Sequence, residues 1–161
     1  MGSEMCIRDR VYRNLSEDAK RQICAWKYGG EYDLYNLPSY EEMQVRQIGF
    51  MNPQREKNYY GFWDESILVG FVNILEEKEE VFIGIGVNPD LCNKHYGQRM
   101  LLITYEISKK LYPDKPLYLE VRTWNIRAVK CYQKAGFRID GQAYELTTGI
   151  GAGTFYRMIR E

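Results

Sequence analysis

The chain has 161 residues with 45% hydrophobic content, and its 22 basic side chains balance 22 acidic ones. This size and apolar content predict one domain over residues 1–161 with its own hydrophobic core, while the balanced charge argues against a nucleic-acid partner, because phosphate binding needs clustered basic groups. No apolar stretch approaches the roughly 18 residues of a membrane span, so we expect no membrane partner and a cytoplasmic location.

The first half of the chain carries alternating strand and helix signals. A capping box, Ser39 followed by Glu42, predicts the start of one helix. Residues 1–4 are interpreted as a cloning remnant or a disordered end and carry no fold prediction. The expected elements are a strand near 7–12, a helix near 17–26, a helix that follows Ser39, and strands near 59–63 and 68–75.

The second half continues this order. Gly136 predicts a helix stop, and Phe137 opens the next strand. The glycine-rich stretch 149–153 is interpreted as a mobile hairpin tip, because no Lys-Ser or Lys-Thr pair follows it as in a phosphate-binding loop. The expected elements are a strand over 81–87, a helix ending near 111, a strand over 117–121, a helix from 125, and strands near 137–144 and 155–159. Together the elements predict a mixed α/β sheet covered by helices on both faces.

The cysteines show no pattern of a metal site or of a disulfide framework. They are Cys6, Cys24, Cys92 and Cys131. No Cys-x-x-Cys pair is present, and the single histidine, His95, completes no ligand spacing. We therefore expect free thiols and no metal. Cys92 lies near a predicted helix start, but no histidine and carboxylate accompany it, so nucleophilic catalysis is not expected.

The segment 119–137 combines a strand, a turn and a helix with several polar side chains. Apolar residues alternate with Glu120, which is strand periodicity, and Asn125 is a good N-cap for the helix that follows. Tyr132 comes seven residues after Asn125, which is two helical turns, so the amide and the phenol lie along one face where a single ligand can touch both. The alternative is that Asn125 only caps the helix and Tyr132 only packs.

The segment 81–102 predicts an anion site. Its apolar strand carries Gly84 and Gly86, which commonly mark a bulge or a close approach to the backbone. Pro89 then prevents further ladder pairing. A helix follows, so free N–H groups near residues 93–98 would face outward at its positive end, where phosphate groups bind.

In this order the motifs resemble the GCN5-related N-acetyltransferase (GNAT) superfamily, from about Asn58 to Glu161. The matching motifs are the strand end Val87-Asn88-Pro89, Gly97 in the loop that opens a helix, Asn125, Tyr132 and Gly136-Phe137. The resemblance implies a mostly antiparallel central sheet with a splayed strand pair, and acetyl-CoA as co-substrate. The residues implied to contact acetyl-CoA are Ile85, Val87, Cys92, Asn93, Lys94, His95, Tyr96, Gly97, Gln98, Asn125 and Tyr132.

Two positions depart from the family pattern in the loop before the helix. Cys92 stands where the family has Gln or Arg, and His95 stands where it has the first glycine. A side chain at position 95 places a Cβ where the family brings backbone against phosphate, and a residue with a Cβ is strained at φ above zero. In compensation His95 would donate to the diphosphate, while Asn93, which tolerates left-handed geometry, would supply the sharp turn. The alternative is a surface or packing role for His95.

Glu120 and Tyr132 are the expected catalytic residues. Glu120 is the candidate base or water relay, because a carboxylate on a central strand needs a partner, a water chain or a substrate; the alternative is a salt bridge to Arg122 or Arg127. The run around these residues is similar to the ribosomal-protein alanine N-acetyltransferases, in which the corresponding Glu and Tyr act as base and acid. Tyr132 is then the general acid for the coenzyme sulfur, and a backbone N–H near Val87 polarises the acetyl carbonyl.

An aromatic stretch between the first two helices is the candidate acceptor site, which the resemblance places over the acceptor side of the fold. Its rings are Trp26, Tyr28, Tyr32 and Tyr35, with Glu31 and Asp33 interleaved. Aromatic faces and carboxylates attract a cationic amine. The alternative is that these rings only pack the helix pair onto the sheet.

The leading functional hypothesis is transfer of an acetyl group from acetyl-CoA to a primary amine of a small molecule, a peptide or a protein. One alternative is a non-catalytic acyl-CoA-binding regulatory module. The other is a protein-interaction domain that uses the tyrosine-rich segment 26–40. The sequence is also compatible with a homodimer.

Overall fold

A computed structural model of the chain describes residues 5–7 and 10–161, with side chains from residue 11 onward. The described residues form nine β-strands and four α-helices. The strands are β1 (Met5–Ile7), β2 (Arg10–Asn14), β3 (Tyr59–Asp64), β4 (Ile67–Glu76), β5 (Val81–Val87), β6 (Leu117–Arg122), β7 (Arg138–Ile139), β8 (Tyr144–Thr148) and β9 (Gly151–Arg160). The helices are α1 (Glu17–Ala25), α2 (Tyr40–Arg46), α3 (Tyr96–Leu111) and α4 (Ile126–Lys134).

The strands hydrogen-bond in the order β1-β2-β3-β4-β5-β6-β9-β7, and β8 also pairs with β9. β5 and β6 run parallel, whereas β1 with β2, β2 with β3, β3 with β4, and β9 with β6, β7 and β8 pair antiparallel. This confirms the predicted α/β fold with a mixed, mostly antiparallel sheet. The parallel register joins Val81 to Leu117 and Phe82 to Tyr118 and ends there, although β5 continues to Val87.

The chain divides into two compact units. The first unit comprises residues 1–73 and 85–96, and the second unit comprises residues 74–84 and 97–161. β4 and β5 each contribute residues to both units. Each unit has buried apolar residues of its own.

In the first unit, α1 and α2 both begin at a serine cap. The Ser16 side-chain oxygen accepts from the Ala19 N–H at 3.1 Å, and the Ser39 oxygen accepts from the Glu42 N–H at 3.1 Å. Each bond satisfies a donor that the helix itself leaves unpaired, and the cap predicted at Ser39 is confirmed. The buried cluster of this unit consists of Leu15, Ala19, Ile23, Cys24, Tyr40, Met43, Phe50, Tyr59, Trp63 and Leu68.

In the second unit, one face of β6 is buried. Leu117, Leu119 and Val121 are buried and alternate with the more exposed Tyr118 and Glu120, so the predicted strand periodicity is confirmed. The residues that α3 buries are Met100, Leu101, Thr104, Ile107 and Ser108. At 16 residues α3 is the longest described helix, and none of the described helices combines the length and the apolar character that a bilayer crossing needs.

Two predicted strands differ in the structure. The strand expected near 7–12 is divided between β1 and β2, which pair with each other, and residues 8 and 9 lie outside the described residues. The strand expected near 137–144 stops after the two residues of β7. The reason is Gly141, which turns the chain with φ of +77°, so that β8 begins only at Tyr144.

The glycine-rich stretch 149–153 lies at the β8–β9 hairpin, as predicted. Residues 149 and 150 form the turn, and β9 already begins at Gly151. The register from Thr148–Gly151 to Tyr144–Phe155 is regular antiparallel pairing. The stretch therefore shapes a hairpin and not a phosphate-binding loop.

Candidate active site

Asn88 fixes the point at which β5 ends. Its backbone N–H donates to the Val69 carbonyl at 2.9 Å, and its side-chain amide donates to the Leu68 carbonyl at 3.1 Å, both on β4. Its side-chain oxygen accepts from the Asp90 N–H at 3.0 Å, which caps the short 3-10 helix Pro89–Leu91. The Val-Asn-Pro motif thus ties the strand to β4 and then turns the chain.

Val87 presents its backbone groups at the edge of β5 that faces away from β4. No described peptide bond is cis, so the Val87 carbonyl points opposite to the Asn88 N–H that binds β4. In extended backbone the N–H and the carbonyl of one residue lie on the same side, so the Val87 N–H points to this edge as well. Polarisation of an acetyl carbonyl by that N–H stays a prediction.

Tyr28 reaches this edge from the segment between α1 and α2. Its hydroxyl donates to the Val87 carbonyl at 2.6 Å, and its backbone N–H donates to the side-chain oxygen of Asn36 at 2.6 Å. The two bonds hold the start of the aromatic segment at the end of β5. Sequence reasoning missed this pairing, because the two residues are 59 positions apart and no local pattern connects them.

The ring of Phe71 explains the glycine at position 86. A Cβ on Gly86 would clash with the ring carbons of Phe71. The Phe71 ring centroid lies 6.3 Å from that of Trp26, and both rings pack against the buried cluster of the first unit. The close approach predicted at Gly86 is therefore made by an aromatic side chain. Trp26 packs here, and its contact with an acceptor stays a prediction.

Tyr32 and Tyr35 lie in a short 3-10 helix, Gly30–Tyr35, where both are partly buried. Glu31 and Asp33 are exposed on the same helix. The structure thus brings Tyr32, Tyr35 and the two carboxylates of this segment onto one short helix. Binding of an acceptor amine by these four side chains stays a prediction.

Two left-handed residues shape the loop before α3. Asn93 and His95 both have φ of +67°, a conformation that costs a residue with a Cβ roughly 1–2 kcal/mol. Asn93 supplies the sharp turn, as predicted, and His95 keeps a conformation that glycine adopts without strain. Both side chains and that of Lys94 are exposed. The loop therefore has a glycine-like backbone at position 95, where the family pattern has a glycine.

The two ends of this loop are held by side chains. The Cys92 thiol lies 3.7 Å from the Asn88 carbonyl and donates to it, and the Tyr96 hydroxyl donates to the Asp64 carboxylate at 2.7 Å. The start of α3 adds backbone donors for a ligand, because the first N–H groups of a helix have no acceptor within the helix and carry the positive end of its dipole. The first turn of α3 contains Tyr96, Gly97 and Gln98.

In the second unit, Glu120 forms a hydrogen-bonded pair with Tyr144. The Tyr144 hydroxyl, on β8, donates to the Glu120 carboxylate at 2.6 Å. Burial and this bond to the carboxylate raise the pKa of Tyr144, so the phenol stays protonated and continues to donate at neutral pH. Within the described residues Glu120 forms no ion pair, so the alternative of a salt bridge to Arg122 or Arg127 is wrong.

Arg157 faces Glu120 across the β6–β9 register but is bound elsewhere. Its guanidinium donates to both oxygens of Glu80, at 2.5 and 3.0 Å, and to Asp140 at 3.1 Å. These charge-assisted bonds are stronger than neutral hydrogen bonds and hold the cation in place. They leave the phenol of Tyr144, and not a guanidinium, as the partner of Glu120.

Arg122 clamps the tip of the β8–β9 hairpin. Its guanidinium is only 7% exposed and donates to the carbonyls of Gly151 at 3.3 Å and Ala152 at 3.2 Å. Gly153 leaves the room for it, because a Cβ at that position would clash with the guanidinium. Sequence reasoning missed this role, since only the register of the hairpin brings these residues together.

Asn125 and Tyr132 lie on one helix, as predicted. Asn125 is the N-cap of α4, where its side-chain oxygen accepts from the Ala128 N–H at 3.2 Å. Tyr132 follows two turns later and is partly buried. The capping role of Asn125 is therefore confirmed, whereas contact of either residue with a coenzyme stays a prediction.

Cys24, Cys92 and Cys131 form no disulfide within the described residues. Burial raises the pKa of Cys24 and of Cys131, which disfavours their thiolate forms. The side chain of Cys6 lies outside the described part of the chain. Among the residues that the structure describes, no group of three or more His, Cys, Asp and Glu side chains is placed to hold a metal ion.

Comparison with protein families gives one match. Residues 11–137 match the model of the acetyltransferase (GNAT) family, a span that contains the Val-Asn-Pro motif, Glu120 and Tyr132. No curated protein matches the chain in sequence.

Solved structures share the fold at low sequence identity. A GNAT-family acetyltransferase from Bacillus anthracis has a TM-score of 0.78 at 16% identity, over 97% of this chain and 96% of that one. A spermidine N-acetyltransferase SpeG chimera from Vibrio cholerae and hSSAT has a TM-score of 0.74 at 19% identity, over 94% and 95% of the two chains. The ribosomal-protein-S18-alanine N-acetyltransferase from Escherichia coli has a TM-score of 0.65 at 18% identity, over 94% and 92%.

Proposed function

This chain belongs to the acetyltransferase (GNAT) family, and on that premise we propose that it moves an acetyl group from acetyl-CoA to a primary amine. The observation that carries the proposal is the end of β5. There Val87 presents an N–H and a carbonyl at one edge of the strand, and the exposed loop with Asn93 and His95 leads directly into α3. Backbone groups of this kind suit a ligand with amides and a diphosphate.

We propose that acetyl-CoA is held by the strand end, the loop and α4. The diphosphate would accept from N–H groups at the start of α3, where the helix dipole favours negative charge. The exposed ammonium of Lys94 adds positive charge to the same loop. The full set comprises Ile85, Val87, Cys92, Asn93, Lys94, His95, Tyr96, Gly97, Gln98, Asn125 and Tyr132.

Acetyl transfer to an amine needs a neutral nucleophile, a polarised thioester carbonyl and a proton for the departing thiolate. We assign carbonyl polarisation to the Val87 N–H, removal of the amine proton to Glu120 directly or through water, and thiolate protonation to Tyr132. The amine nitrogen bonds to the acetyl carbon as the carbon–sulfur bond breaks. The amine proton passes towards Glu120, and the sulfur takes the phenol proton of Tyr132.

The proposed acceptor is a cationic amine on a small molecule, a peptide or a protein. Support comes from the short helix that carries Tyr32 and Tyr35 together with the exposed Glu31 and Asp33, because aromatic faces and carboxylates attract cations. Two structural neighbours are named for amine substrates, spermidine in one case and an alanine of ribosomal protein S18 in the other.

A panel of amines tests this proposal through release of free coenzyme thiol. The panel contains spermidine, a lysine-like monoamine and a peptide with an N-terminal alanine, because the amine pKa decides how much help the base must give. An α-amine near pKa 8 loses about 1–1.5 kcal/mol to protonation at pH 7, whereas an amine near pKa 10.4 loses about 4.6 kcal/mol. We expect release with at least one amine and none without an amine.

Thermal unfolding with and without acetyl-CoA separates the alternatives. A ligand that binds only the folded state raises its stability, so we expect acetyl-CoA to raise the Tm. A raised Tm with no thiol release from any amine would favour the non-catalytic acyl-CoA-binding module. An unchanged Tm at saturating acetyl-CoA would refute coenzyme binding and favour an interaction domain.

A further inference from the structure

The Val87 carbonyl, at the end of β5, accepts a hydrogen bond from a side chain. Because the Asn88 N–H on the same peptide binds Val69 on β4, the carbonyl is directed away from β4, towards the edge where the Val87 N–H also lies. The Tyr28 hydroxyl donates to it there at 2.6 Å. A residue of the aromatic segment therefore bonds directly to the residue assigned to carbonyl polarisation.

Tyr28 is itself held in place on both sides. Its backbone N–H donates to the Asn36 side chain at 2.6 Å. Two residues earlier, the Trp26 ring packs near Phe71, whose ring fills the space that a side chain at Gly86 would need. The segment thus bonds to the end of β5 through Tyr28 and packs, through Trp26, near the β4 ring that lies over Gly86, so the hydroxyl is not a loose surface group.

We propose that Tyr28 is a positioning residue for acetyl transfer, which holds Val87 so that the N–H of this residue stays directed at the thioester carbonyl. This inference rests on the proposed function. The φ and ψ angles of Val87 join the peptide that carries the N–H to the peptide whose carbonyl Tyr28 binds, so a restraint on the carbonyl restrains the N–H. In this role Tyr28 acts through the backbone and does not touch the reacting atoms.

Loss of this restraint should affect kcat and the affinity for acetyl-CoA differently. Charge grows on the carbonyl oxygen in the transition state, so the direction of the donor matters most there. Misdirecting a preformed donor lowers kcat, whereas binding of the coenzyme depends on many other groups and changes little.

The test is Tyr28→Phe, which keeps the ring and removes only the hydroxyl. We expect kcat to fall about 3- to 30-fold, while the Kd for acetyl-CoA changes by less than about twofold. Amide hydrogen exchange in peptides covering residues 85–91 should become faster, because the end of β5 loses a restraint. The matched control is Tyr105→Phe, which removes a hydroxyl that donates to the Glu161 carbonyl at 3.0 Å in the second unit and should leave kcat unchanged.

Each outcome decides the matter. A Tyr28→Phe protein with the kcat of the Tyr105→Phe control overturns the inference, and so does a loss of kcat matched by an equal rise in the Kd for acetyl-CoA. If the wild-type protein turns over no amine, the proposed function fails by itself. Hydrogen exchange then decides the structural claim: faster exchange at 85–91 in Tyr28→Phe supports a restraint on Val87, and unchanged exchange overturns it.

Discussion

The two compact units offer different kinds of chemical group. In the first unit, the end of β5 and the loop before α3 present backbone N–H and carbonyl groups, fixed by Asn88 and by the left-handed Asn93 and His95. In the second unit, the sheet presents side chains, with Glu120 bonded to Tyr144. The left-handed loop is local in sequence, whereas the bond of Asn88 to Leu68 and the Glu120–Tyr144 pair join residues 20 and 24 positions apart.

This difference predicts how amino-acid substitutions affect each unit. A backbone site depends on φ and ψ, and His95 has the left-handed φ of +67° that the glycine of the family pattern would adopt without strain. A side-chain pair depends on the identity of both partners, because removal of either leaves the other without its hydrogen bond. Substitutions of Glu120 and Tyr132 in the second unit should therefore reduce catalysis directly, whereas those in the first unit should act through the backbone, on its stability, its strain or, at Tyr28, the direction of the Val87 N–H.

The largest effect is expected from Tyr132→Phe in the second unit. The substitution keeps the ring on α4 and removes the proposed general acid, so kcat should fall roughly 10- to 1000-fold. Binding of acetyl-CoA should be nearly intact, which calorimetry can check. An unchanged kcat would remove Tyr132 from this role and would leave the second unit without its acid.

Glu120→Gln should lower kcat/KM by about 10- to 100-fold and abolish the acidic limb of the pH–rate profile. Burial and the carboxylate together raise the pKa of Tyr144, so loss of the negative charge should move that pKa back towards its ordinary value. Absorbance titration would then show a phenol that ionises at lower pH than in the wild type. A wild-type pH profile would make the Glu120–Tyr144 pair structural.

The raised pKa of Tyr144 also has a consequence for stability. A group whose pKa is higher in the folded than in the unfolded state contributes fully below its unfolded pKa, near 10 for tyrosine, and loses this contribution as pH rises through the folded value. Wild-type stability should therefore decline above about pH 10, and less steeply in Tyr144→Phe. Denaturant unfolding at several alkaline pH values measures the two slopes, and equal slopes would contradict the raised pKa.

The comparison also shows what the sequence predicts and what it does not. The capping residues Ser39 and Asn125 and the left-handed turn at Asn93 follow from neighbouring residues, and the structure confirms all three. For Glu120 the alternative of a salt bridge to Arg122 or Arg127 is not found in the described part of the chain, although spacing alone makes an arginine two positions away a plausible ion-pair partner. The registers of β8 and β6 on β9, which no local sequence pattern shows, bring Tyr144 to Glu120.

In the first unit, Gly86→Ala should destabilise the fold by about 1–3 kcal/mol, as overpacking does. The added Cβ meets the Phe71 ring, which packs against the buried cluster of this unit. Gly29→Ala is the matched control, since Gly29 has a φ of −100° and nothing within 4 Å of an added Cβ. Urea unfolding should separate the two variants. Equal free energies of unfolding would mean that the Phe71 ring moves away from the added Cβ without destabilising the fold.

The smallest effect, at His95, tests the backbone interpretation of the first unit most directly. At φ of +67° alanine keeps the strain of a Cβ and glycine removes it, so His95→Gly should be more stable than His95→Ala by about 1 kcal/mol. The gain over the wild type should be smaller, because glycine adds entropy to the unfolded chain. If the diphosphate is held by backbone N–H groups, His95→Gly should bind acetyl-CoA at least as tightly as the wild type does. An equal loss of affinity in both variants would instead show that the His95 imidazole binds the diphosphate. The loop before α3 would then act through a side chain, and the first unit would not differ from the second in this respect.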